Sequence, residues 1–124
     1  LATLDSASSL GGLLKVMGRL EEAEPLLRQT LRGHETKLGP SHVATLASAN
    51  NLAVLLKAMG QLEEAERLLK QVLEDRRAKL GPTHPQTATS MHNLAGLLVA
   101  KNQPREAEEL YRKAVQSLEG QLGA

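Results

Sequence analysis

The ten letters GRLEEAEPLL, Gly18–Leu27, return almost unchanged as GQLEEAERLL, Gly60–Leu69, 42 residues later. A copy at a fixed interval marks a structural unit that stacks on its own copies, whereas a catalytic loop has no reason to recur this way. The interval holds along the chain without a gap. Gly39-Pro40-Ser41-His42 returns as Gly81-Pro82-Thr83-His84, and Asn51-Leu52-Ala53 as Asn93-Leu94-Ala95; Ala23, Ala65 and Ala107 share one register. Residues 1–38 match 43–80 at roughly half their positions, and 39–80 match 81–122 at roughly a third. The register therefore predicts one array over residues 1–124, with repeats at about 1–38, 39–80 and 81–122.

Each repeat reads as two helices. In the second, Leu46, Ala49, Leu52, Ala53 and Leu56 recur at spacings of three and four, which makes one apolar helical face. Gly60 stands where a residue of positive φ ends that helix, Gly18 takes the place in the first repeat and Asn102 in the third. Pro104 suits the first turn of the helix that follows. Leu62, Ala65, Leu68, Leu69, Val72 and Leu73 form the inward stripe of the second helix, and Glu63, Glu64 and Glu66 complement the positive end of its dipole. LEEAE is thus a helix start, not a pair of catalytic carboxylates. Leu80-Gly81-Pro82-Thr83 predicts a C-cap at Gly81, a break at Pro82 and an N-cap at Thr83, with Ser41 in that role one repeat earlier. Six helices of about 14–18 residues result, and no segment alternates like a strand.

Composition narrows the function classes. With 15 basic and 14 acidic residues interspersed and a net charge of +1, the chain lacks the footprint expected for DNA or RNA binding and has no basic block for a membrane surface. No apolar run approaches the roughly 20 residues of a membrane span. Cysteine is absent, which excludes disulfides and thiolate metal sites and favours an intracellular, cytoplasmic location. Leucine and alanine fill the apolar positions, and Tyr111 is the sole aromatic side chain of the Phe, Trp and Tyr class. The chain opens in mid-pattern without Met, as a piece of a longer protein would.

Chemistry for catalysis is not expected either. His42 and His84 occupy one repeat position and are assigned to the inter-repeat turn, too far apart (roughly 10 Å from helix packing) to share a metal. Gly11-Gly12 lies in a helical pattern and lacks the Lys-Ser/Thr signature of a phosphate loop. No Ser or Thr matches a His–carboxylate relay. The expectation is a protein that is not an enzyme, with no metal and no cofactor.

Ala53, Gly60 and Ala65 place a small residue in a first helix, a glycine at the turn and a small residue in a second helix, and this pattern resembles the tetratricopeptide repeat. Gly11 takes the small-residue position in the first repeat. NNLAVLL, GQLEEAERLL and LGPTHP resemble the 42-residue repeats of kinesin light chains and nephrocystin-3-type proteins. The resemblance implies an all-α fold, a right-handed superhelical solenoid of three helix-turn-helix repeats and six helices. A single repeat cannot bury its apolar face alone, and stacking supplies the shared core.

The resemblance also implies a concave groove lined by first helices. Its positions are Asp5, Ser8, Ser9, Gly12 and Lys15, then Ala47, Asn50, Asn51, Val54 and Lys57, then Thr89, His92, Asn93, Gly96 and Val99. The residues singled out for peptide binding are Ser8, Lys15, Asn50, Asn51, Val54, Lys57, His92 and Asn93. Asparagine amides can hold an extended peptide backbone, or can bond neighbouring helices. Lys15 and Lys57 can attract acidic side chains, or can stand solvated. Relatives that clamp chaperone tails need basic residues at Ser8, Gly12, Asn51, Thr89 and Asn93, where only Asn51 fits, so that partner is not expected. The expected function is a non-catalytic scaffold holding a protein or peptide partner, acidic in character. The alternative is a passive segment of a longer solenoid. Leu110, Ala114 and Leu118 leave an apolar stripe on the last helix, which predicts end-to-end homo-oligomers.

Overall fold

The computed structural model describes the backbone of residues 4–122 and the side chains of residues 9–117 and 119. The described residues form six helices and no strand: α1 (Leu4–Val16), α2 (Leu20–Leu38), α3 (Val43–Ala58), α4 (Leu62–Leu80), α5 (Pro85–Ala100) and α6 (Pro104–Leu122). The second helix of each pair is longer than the sequence suggests, at 19 residues. Two compact units result, Leu1–Gln61 and Leu62–Ala124. In the first, α2 packs against both α1 and α3; in the second, α5 packs against both α4 and α6.

The three helix-to-helix turns are built alike. Gly18, Gly60 and Asn102 have φ of 78°, 81° and 61°, the left-handed conformation expected of them. Each turn closes with the same two bonds. The Gly18, Gly60 and Asn102 amides donate to Lys15, Lys57 and Val99 carbonyls at 3.0 Å, and the next amides donate to Leu14, Leu56 and Leu98 at 2.8 Å. This is the Schellman arrangement, which satisfies carbonyls the helix leaves open. Pro104 opens α6, where its missing N–H has no helical partner to lose.

The inter-repeat turn corrects one expectation. Ser41 and Thr83 do not cap the next helix; His42 and His84 do, one residue later. Their backbones are extended, and Nδ1 of each imidazole accepts from the amide two residues on, Ala44 or Gln86, at 3.1 Å. Thr45 and Thr87 complete the turn, donating from Oγ1 to the Gly39 and Gly81 carbonyls at 2.7 and 2.9 Å. Removing one cap acceptor by His42→Ala is expected to cost about 1 kcal/mol. Melting of the variant should fall by a few degrees, and His42→Asp, which restores an acceptor, should recover it.

Packing in unit 1 depends on a close approach. A Cβ on Gly11 of α1 would stand 2.9 Å from Cδ2 of Leu27 on α2. Later repeats hold alanine at that place, Ala53 and Ala95, both wholly buried. Ala23 and Ala65 are likewise wholly buried on the second helices. Leucines fill the rest, among them Leu52, Leu55 and Leu56 on α3 and Leu94, Leu97 and Leu98 on α5.

Candidate functional site

α1 and α3 flank α2 and carry the residues marked for a ligand in unit 1. Asn50, Val54 and Lys57 follow at spacings of four and three, so α3 places them on one face. Lys57 is exposed, Asn50 and Val54 are half-buried, and Asn51 stands exposed beside them. On α1, Lys15 is half-buried, and open space lies where a Cβ of Gly12 would stand. Ser8 belongs to the same helix; its side chain lies outside the described residues. Asn50 already has an interaction partner, which leaves it only part of its amide capacity.

Charge separates the lysines of the two units. Among the described residues neither Lys15 nor Lys57 pairs with a carboxylate. In unit 2, Lys101 is committed: its Nζ lies 2.6 Å from Glu66 and 3.0 Å from Glu63, and Glu66 also takes Lys70 at 2.8 Å. The Lys101 hydrogen bond holds the Glu66 carboxyl below its ordinary range, with the Lys70 bond adding to it. The same Glu66 bond, with that of Glu63, raises the Lys101 ammonium above its own. A depressed carboxylate contributes stability that is complete above its unfolded value and disappears as pH falls through the folded one. Wild type should therefore lose melting temperature below about pH 4, and Glu66→Gln should flatten that part of the profile. The check is a set of thermal melts across the acid range.

His92 and Asn93 lie on α5 in the second unit. His92 is exposed and sets its ring edge against Tyr111, with centroids 5.3 Å apart and planes at 64°. Asn93 is half-buried and already has an interaction partner. A hollow of about 330 Å³ opens beside them, lined by Pro85, Ala88, Thr89, His92, Tyr111 and Val115.

Sequence reasoning missed the polar ties inside the helix packing. His34 Nδ1 on α2 meets Ser48 Oγ on α3 at 2.6 Å. One repeat later, buried Arg76 on α4 takes the place of His34 and donates to Ser90 Oγ at 2.8 Å and to the Gln86 carbonyl at 3.3 Å. Burial lowers the Arg76 guanidinium below its ordinary value. The serines were there to be found, since Ser48 and Ser90 share a register; their partners were not, because His34 and Arg76 differ in kind.

The profile of the tetratricopeptide repeat matches residues 2–78 and again 47–119. A Podosopora anserina protein of kinesin light chain type, with nearly identical TPR-like repeats, is 34% identical over 92% of this chain, with a TM-score of 0.84. The chain belongs to the tetratricopeptide repeat family. BtubC (BKLC) of P. vanneervenii, 21% identical over 92% of the chain, shares the fold of these repeats with a TM-score of 0.85. The chain spans about half the length of both, 54% and 45%. Among curated proteins none matches it. Tetratricopeptide repeats mediate protein–protein interaction. No helix among the described residues of this tetratricopeptide repeat chain is long and apolar enough to cross a membrane.

Proposed function

We propose that this chain is a non-catalytic interaction scaffold that holds an extended acidic peptide segment on the first helices of unit 1. Lys15 and Lys57 meet its acidic side chains, Asn50 and Asn51 its backbone, and Val54 an apolar side chain; Ser8 extends the face along α1. The reading is carried by Lys15 and Lys57, which occupy one repeat position on α1 and α3 and have no carboxylate partner among the described residues. A lysine without an internal acid keeps its attraction for an external one, and screening by salt weakens it. Gly12 adds open space on α1 for a bulky ligand group. His92, engaged with Tyr111, is left out of the assignment.

The double variant Asn50→Ala, Lys57→Ala tests this reading. Affinity for an acidic peptide should fall roughly tenfold or more, which corresponds to about 1.4 kcal/mol. Circular dichroism should show an unchanged melt, since Lys57 is exposed and Asn50 only half-buried. Unchanged affinity would place the ligand elsewhere and favour a passive segment of a longer array.

A further inference from the structure

The 42-residue register lets each helix face be compared with its own copies. Thr45, Ser48, Leu52 and Leu55 form one stripe of α3, and Thr87, Ser90, Leu94 and Leu97 form the same stripe of α5. All eight are buried, the four leucines to 4% exposure or less. The stripes face the preceding second helices, since Ser48 meets His34 on α2 and Ser90 meets Arg76 on α4. α1 has the same four residue types in its sequence register, Thr3, Ser6, Leu10 and Leu13. There the burial fails: Leu10 is 47% and Leu13 56% exposed.

The last helix shows the complementary defect. Leu31 on α2 and Leu73 on α4 sit one turn before His34 and Arg76, and both are buried. Their copy on α6 is Val115, 53% exposed. Beside it, Tyr111 borders two hollows, the one of about 330 Å³ already described and another of about 480 Å³. Val99, Pro104, Ala107 and Val115 give the larger hollow an apolar lining.

We propose that the Val115–Tyr111 face of α6 receives α1 of a second copy of this chain, head to tail, repeating the contacts of α3 on α2 and of α5 on α4. The occupant is a second copy because α1 already presents the residues that both internal junctions use, at the same positions. Burial of Leu10, Leu13 and Val115 drives the contact. By sequence, Leu118 stands where His34 and Arg76 stand, so the junction lacks their hydrogen bond to serine and is the weaker for it. The contact joins two different surfaces, so each added copy leaves one of each free, and assembly grows with concentration. This inference does not rest on the peptide face, because Lys57, Asn50 and Val54 take no part in it.

The test is light scattering of the whole chain from micromolar to millimolar concentration, with Leu13→Glu and Val115→Glu as variants. Wild-type mass should climb with concentration. Each variant alone should stay monomeric, because one of its two faces is blocked. Mixed together they should form a one-to-one dimer and nothing larger, since the free α6 face of the first pairs with the free α1 face of the second. Val16→Glu, at an 84% exposed site of α1 outside the stripe, should associate like wild type. Leu10→Glu gives a second block of the α1 face, and dichroism melts confirm that each variant is folded. A monomeric wild type at every concentration overturns the proposal. So does a mixture that stays monomeric, or a single variant that dimerises with itself.

Discussion

Ala65→Arg is expected to unfold the second unit. Ala65 is wholly buried on α4, at the position where Ala23 and Ala107 also stand buried. A guanidinium there would be buried without a partner, a defect that costs about 3–5 kcal/mol in protein interiors. The side chain is also too large for a place filled by a methyl group, and overpacking adds about 1–3 kcal/mol. Against the marginal stability of a small domain, about 5–15 kcal/mol, this is most of what holds it together. The expected result is loss of about half the helical signal, or a melt shifted down by tens of degrees, with unit 1 the more resistant part. Retained helicity and an unchanged melt would mean that the repeat register is misassigned.

The second large effect is a contrast between copies of one leucine. Leu55 and Leu97 are wholly buried, and their copy Leu13 is 56% exposed. Leu55→Ala and Leu97→Ala should each cost about 2–5 kcal/mol, the price of lost transfer free energy plus a cavity. Leu13→Ala, measured at low micromolar concentration, should cost less than about 1 kcal/mol, because its side chain is already half in water. Denaturant melts of the three variants make the comparison. Equal losses at all three positions would show that α1 is packed like the interior helices. A sequence comparison alone predicts that equality, since the three residues are identical.

Much of the fold was legible because the chain states it nearly three times. The helix pairs, the turns at Gly18, Gly60 and Asn102, and the small residues at Ala53 and Ala65 all follow from one register and elementary capping rules. What stayed hidden depends on partners from distant parts of the sequence. Serine or threonine was the reasonable N-cap by residue preference, yet the backbone turns extended one residue later and brings His42 Nδ1 to the Ala44 amide. His34 and Arg76 look like surface residues in a helical pattern until the packing of the next helix brings Ser48 and Ser90 to them. The same limit applies to the peptide face. Asn50, Val54 and Lys57 could be placed on one side of α3 by spacing alone, but the pairing of Lys101 with Glu66, against the unpaired state of Lys57, is a fact of three dimensions. Two ends of the array were legible only in part: the sequence marks an apolar stripe on α6, and exposure adds that α1 carries its counterpart.

The most direct test of peptide capture is a screen of the intact chain against a diverse library of short peptides at two salt concentrations. The account predicts reproducible enrichment of extended acidic motifs that weakens at the higher salt and is lost in the Lys15→Ala, Lys57→Ala double variant. Absence of any enriched motif, or enrichment indifferent to salt and to both lysines, would contradict it.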